Sequence, residues 1–264
     1  RAEQVAAGTV NNELSALKHF GRQAIRWGLW KADAASVAWM HLEPMRERPR
    51  HPRALPDADF ARLLAAVPVP VRLVLVGMAA TGDRPGALVA ATWGDVRAPS
   101  GDRPGSLTLT RRKGYKPRVV SVWRGGLLDI VLSVCRRRFY EKHNRPGAGG
   151  DPVWTNSRGQ GWTVAGFDNS VRHHLSRAEG LPQRLQRVTP YAVRHSLITW
   201  AAMDGLSTYE RQMLAGHESE QTCKVYTHAS GLVADRERRA MEERLGKLIL
   251  PILTGATTAP VFVE

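Results

Sequence analysis

Phosphate ester chemistry draws on a short list of side chains, and this sequence holds them at separated positions: Arg84, Lys113, Tyr191, Arg194, His217 and Tyr226. Two arginines can hold the non-bridging oxygens of a phosphodiester and offset the charge that grows in the transition state. A tyrosine hydroxyl can attack phosphorus, but a free phenol has a pKa of about 10 and needs help from cations and hydrogen bonds. A lysine on a flexible turn can protonate the departing sugar oxygen. Arg84 follows a glycine turn in "TGDRPGAL", and Lys113 sits in "RRKGYKPR". Tyr191 and Arg194 are spaced i,i+3, which puts them on one helical face. His217 follows Gly216 in "LAGHESEQTCKVYTH", and Tyr226 comes nine residues later. No Asp, Glu and His cluster has the spacing of metal ligands, so neither a metal nor another cofactor is expected.

Each of these residues also has a bland explanation. Arg84 can cap a turn. Lys113 can be ordinary hairpin polarity, and Lys116 rivals it. Tyr191 can be a core tyrosine and Arg194 half of a structural ion pair. His217 can sit against the dipole of a helix C-terminus, and Tyr226 can pack at an interface. His173, His174 and His195 are read as non-catalytic, since adjacent histidines on a helix cannot both face one site.

The elements that would have to position such a set are mostly helical. In the first stretch Leu14, Leu17, Phe20, Ala24 and Trp27 recur in steps of three and four, which predicts a helix from Thr9 as N-cap to Gly28 as stop. A second helix is expected over Ala34–Met40. Pro44, Pro49, Pro52 and Pro56, interleaved with Arg46, Arg48, Arg50 and Arg53, then make a stiff, charged connector. A helix opens at Pro56-Asp57. Residues 70–80 are apolar throughout, and periodicity cannot decide between helix and strand. A short helix ends near Trp93. Leu107 and Leu109, then Val119, Ser121 and Trp123, flank a turn at 113–116 and predict a β-hairpin. Helices are expected over Leu127–Tyr140, Thr189–Gly205, Ser207–Gly216 (a capping box with Glu210) and Val233–Leu248, with a short strand at "PVWT". The fold class is thus mainly α with a small antiparallel β-sheet (α+β).

Bulk properties point to a nucleic-acid partner. The chain has 264 residues, 43% apolar, enough for a proper core. It carries 38 Lys+Arg against 24 Asp+Glu, a net charge of +14, and the excess is mainly arginine, whose planar fork matches phosphate oxygens. Cys135 and Cys223 are far apart, which fits a reducing compartment and speaks against a disulfide framework. There is no membrane-length apolar run and no signal peptide, so a cytoplasmic, nucleoid-associated location is expected. The chain begins at Arg1 and opens almost directly on a helix, as expected of a fragment.

These motifs, in this order, resemble those of the tyrosine recombinases, the phage integrase family. That family carries an arginine in "TGxRxxEL", a lysine in a β-hairpin, an "HxxRH" helix and an "LGHxxxxTTxxYTH" segment; here they read "TGDRPGAL", "RRKGYKPR", "TPYAVRHS" and "LAGHESEQTCKVYTH". The match runs from about residue 55 to 230. The resemblance implies a partial helical core-binding domain at 1–45, a basic linker at 46–55, a catalytic domain at 56–250 and a tail at 251–264 that docks on a neighbouring protomer. By the same resemblance Tyr226 is the nucleophile and makes a 3′-phosphotyrosyl bond, Arg84 and Arg194 clamp the phosphate, Lys113 protonates the leaving oxygen, and His217 and Tyr191 hydrogen-bond the phosphate region. The implied partner is double-stranded DNA, bound by a monomer that assembles into a synaptic homotetramer.

Two positions depart from the family pattern. Tyr191 stands where a histidine is usual, and a phenol is a poor proton acceptor near neutral pH. Ala87 stands where an acidic residue is usual. These departures keep two rivals in view beside an integrase: a DNA-binding protein of recombinase descent that no longer cuts, and a type IB topoisomerase-like enzyme.

Overall fold

A computed structural model of the chain describes residues 7–33, 37–46, 54–110, 117–207, 210, 211, 214 and 229–254, with backbone alone for 229–238, 241 and 254. The chain divides into two compact units, Arg1–His51 and Pro52–Glu264.

In the first unit, helix α1 spans Ala7–Arg26 and a 3₁₀ turn spans Ala38–His41. Helical backbone is already present at Ala7, so Thr9 lies inside the helix and is not its N-cap. Gly28, at φ 72°, provides the left-handed residue after the helix end. Asn11 closes the unit by a reciprocal pair: its Nδ2 donates to Met45 O at 2.8 Å, and Met45 N donates to its Oδ1 at 2.7 Å. Gly21 leaves room for Trp39 and Met40, and Phe20, Trp30 and Trp39 meet edge to face. Of the expected apolar face only Ala24 is buried, whereas Leu17, Phe20 and Trp27 are exposed. So few turns of helix cannot enclose large side chains.

The second unit is mainly helical with one small antiparallel sheet. Helix α2 (Asp57–Ala65) leads into α3 (Val69–Thr81), which settles the ambiguity of residues 70–80 as helix. Its apolar residues show no period because the helix is buried on nearly every side. Around it pack α5 (Leu127–His143), α6 (Val164–Arg177), α8 (Pro190–Met203) and α9 (Ala229–Thr254). Close approach is possible because Gly77 has no side chain: a Cβ there would lie 2.6 Å from Trp154 and 2.8 Å from Leu88. Short helices α4 (Pro85–Val89) and α7 (Gln183–Gln186) link the larger ones.

Strands β1 (Val96–Arg97), β2 (Gly105–Leu109) and β3 (Arg118–Val122) form the sheet in the order β1-β2-β3, all antiparallel. The register pairs Leu107 with Val120 and Leu109 with Arg118. Val120 and Val122 therefore share the buried face with the leucines, whereas Val119 is exposed, so the inward set on β3 is offset by one from the alternation read in the sequence. The expected strand at "PVWT" is absent. Pro152 and Thr155 make isolated bridges to Thr92 and Gly161, because turns on both sides leave no length for a ladder.

Long-range polar contacts seat the C-terminal helices. Leu55 N donates to Ser196 Oγ at 2.8 Å and Trp200 Nε1 donates to Leu55 O at 2.8 Å, which fixes α8 to the start of the unit. Arg244 on α9 bridges Asp57 and Asp204. Arg72 gathers the carbonyls of Leu64, Val67 and Ile252, a cation at two helix C-termini. Helix α9 continues through Pro251 to Thr254, past the expected start of the tail. The capping box forms as read: Ser207 N donates to Glu210 Oε2 and Glu210 N to Ser207 Oγ. Among the described residues no helix is long and apolar enough to cross a membrane.

Candidate active site

The turn between α3 and α4 is the anchor of the site. Helix α3 ends at Thr81, and Gly82, at φ 70°, takes the left-handed conformation that favours glycine. Thr81 Oγ1 donates to Gly77 O at 2.8 Å and accepts from Asp83 N at 3.2 Å, which holds the turn from within. Arg84 then caps α4: its backbone is extended, and its carbonyl accepts from Ala87 N and Leu88 N. Pro85 fills the first helical position, where its missing N–H costs nothing. The Arg84 side chain is exposed.

Helix α8 brings the second arginine to the same turn. Arg194 is only 6% exposed, and its Nη1 donates to the carbonyl of Gly82, two residues before Arg84. A guanidinium cannot shed its charge, so this buried cation needs acceptors where it lies. Tyr191, one turn earlier on α8, is 49% exposed. That overturns the reading of Tyr191 as a core tyrosine and leaves its phenol open to a ligand.

Two residues that the sequence reading passed over join the cluster. Asp83, 2% exposed, accepts a 2.6 Å charge-assisted bond from Arg118 Nη1. The other arm of Arg118, Nη2, donates to Leu214 O at 2.7 Å. Asp83 thus brings a carboxylate beside Arg84 from the position before it, whereas Ala87, three positions after, is buried in the core. The sequence contained a signal for this pair, an acid adjoining Arg84 and an arginine at the end of the segment that carries Lys113, but turn polarity explained both letters equally well.

Lys113, with its rival Lys116, and His217 and Tyr226 lie outside the described residues. His173 and His174 adjoin each other on α6, their rings 5.2 Å apart, and burial with two cationic neighbours holds His174 below the usual histidine range. His195 is exposed on α8. Cys135 is buried in the core, and that burial pushes its thiol up to about 12.

Chemically, the described part can hold an anion. One cation is fixed by the fold and one is exposed on the same turn, with a phenol on the neighbouring helix. Fixed donors of this kind offset developing negative charge without reorganising.

Comparison with known proteins bears on the family and the fold. The model of the phage integrase family matches residues 55–231. The tyrosine recombinase XerD of Ralstonia nicotianae is 27% identical over 238 residues, covering 87% of this chain and 72% of its own. The tyrosine recombinase XerC of Lactobacillus leichmannii is 27% identical over 236 residues, covering 86% and 74%. A crystal structure of a lambda integrase dimer bound to a COC' core site has the same fold, with a TM-score of 0.60, 18% identity, and coverage of 81% of this chain and 74% of that one. With the family model spanning Arg84, Arg194 and most of the second unit, this chain belongs to the phage integrase family, the tyrosine recombinases.

Proposed function

We propose that this protein is a site-specific DNA recombinase of the integrase type, acting on double-stranded DNA without a metal. Tyr226 Oη gives up its proton to water and attacks the scissile phosphorus, the bond from phosphorus to the 5′ oxygen breaks, and a 3′-phosphotyrosyl bond forms. The 5′ oxygen takes a proton from Lys113 and leaves as a hydroxyl. Arg84 and Arg194 hold the non-bridging oxygens, with His217 and Tyr191 as hydrogen-bond donors beside them. The covalent bond keeps the phosphodiester energy, so rejoining needs no ATP. Strand exchange then proceeds in a tetramer, one strand cut per subunit, and the C-terminal segment docks on a neighbour; a lambda integrase tetramer bound to a Holliday junction is the structural precedent, at a TM-score of 0.60 and 17% identity. The element served is a phage or another mobile DNA, in the cytoplasm.

The observation that supports this reading most is the hydrogen bond from Arg194 to the Gly82 carbonyl, which ties the helix that carries one arginine to the turn that carries the other. The test is a suicide substrate nicked beside the cleavage site. A covalent protein–DNA adduct is expected, and it should vanish in Tyr226→Phe with binding retained. Binding with no adduct in the unaltered protein would favour the non-cutting reading, for which buried Ala87 and the phenol at 191 speak. Relaxation of supercoils without exchange between two sites would favour a topoisomerase.

A further inference from the structure

We infer that Arg118 is a positioning residue that registers the lysine-bearing hairpin and the chain before His217 against the Arg84 turn. The inference rests on the function proposed above. Arg118 opens β3 and pairs with Leu109 at the last rung of the ladder, and Lys113 stands between these two residues in the sequence. Its side chain is 12% exposed and points both ways out of that strand. Nη1 reaches Asp83 Oδ2 at 2.6 Å, and Asp83 adjoins Arg84. Nη2 reaches Leu214 O at 2.7 Å, and Leu214 lies three residues before His217. A single guanidinium thus joins three segments that carry Lys113, Arg84 and His217.

Arginine alone among the side chains suits this position. Its fork presents donors in a fixed plane, so the angle between the two acceptors is set as well as their distances. The bond to Asp83 is charge-assisted and both partners are shielded from water, which strengthens it. A lysine offers one compact ammonium and cannot span both acceptors in the same way. The charge of Arg118 faces Asp83 and its other arm a carbonyl, so DNA affinity should depend on it little. What depends on it is registration, and about one ångström of misplacement of a catalytic group can cost on the order of a hundredfold in rate.

The experiment compares the unaltered protein with Arg118→Lys and Asp83→Asn in three readouts: equilibrium binding to uncleavable duplex, single-turnover adduct formation on a nicked oxygen substrate, and the same on a substrate with sulfur at the 5′-bridging position. A thiol leaves without being protonated, so sulfur bypasses Lys113. In Arg118→Lys the oxygen rate should fall by about a hundredfold, with affinity changed less than about threefold. The sulfur substrate should recover at least about tenfold of that loss, the share due to general acid catalysis. Asp83→Asn should fall in the same direction by a smaller factor. An unchanged oxygen rate overturns the inference. So does a loss equal on oxygen and sulfur, or one that tracks the unfolded fraction, since both mark a merely structural residue. If the unaltered protein forms no adduct on either substrate, the proposed function fails, and Arg118 is then read by amide exchange. Arg118→Lys should speed exchange around Leu214 by about tenfold without changing the core, and equal exchange overturns the positioning role.

Discussion

The two arginines of the site have the same chemistry and opposite settings. Arg194 is buried and holds a carbonyl, whereas Arg84 is exposed. Arg194→Ala should therefore lower stability by about 1–3 kcal/mol in urea denaturation, because a buried acceptor loses its donor, and should also abolish adduct formation. Arg84→Ala should change stability by less than about 0.5 kcal/mol and abolish cleavage just as fully. Its effect on affinity should be small, since it contacts one phosphate among many. A collapse of affinity with a normal cleavage rate on bound DNA would show that the role given to Arg84 is wrong. At this scale the candidate residues were legible by type, and Arg194 donates to the carbonyl of Gly82, two residues before Arg84. The support beneath them was not legible. Asp83 and Arg118 gain their meaning from burial, and an acid in a glycine turn carries no mark of burial in its letter.

The elements were legible where they have a one-sided pattern. The helices over 127–143 and 190–203 fall where capping and spacing place them, and the Ser207–Glu210 box closes as read. The sequence failed to decide where sides disappear. Helix α3 has no polar face, since its neighbours cover it all round, so no period distinguishes it from a strand. The hairpin was recognised, but the inward set on β3 was not, because only pairing fixes which of two alternations faces the core. A change on α3 should test its central role. Gly77→Val would push a branched side chain into Trp154 and Leu88, and should destabilise the unit by about 1–3 kcal/mol. A lower urea midpoint with an unchanged slope would register it, and no shift in midpoint would show that the helix does not pack as described.

For the molecule as a whole, the charge of +14 makes binding to DNA an exchange of counterions for arginine. Log affinity should fall linearly with log salt, by about 0.9 per phosphate contacted, so six or more contacts should cost about a thousandfold between roughly 50 and 200 mM salt. A flat titration would mean that the positive surface does not meet the backbone. Composition alone was enough for that expectation, whereas the order in which the chain can assemble is visible only in the fold. Leu55 bonds Ser196 across 141 positions, Arg72 holds Ile252 across 180, and Arg244 reaches Asp57 across 187. The earliest parts of the second unit thus wait for the latest. A chain still lacking the stretch from Arg244 to Ile252 cannot close these links, so the second unit cannot finish folding until that stretch has been made.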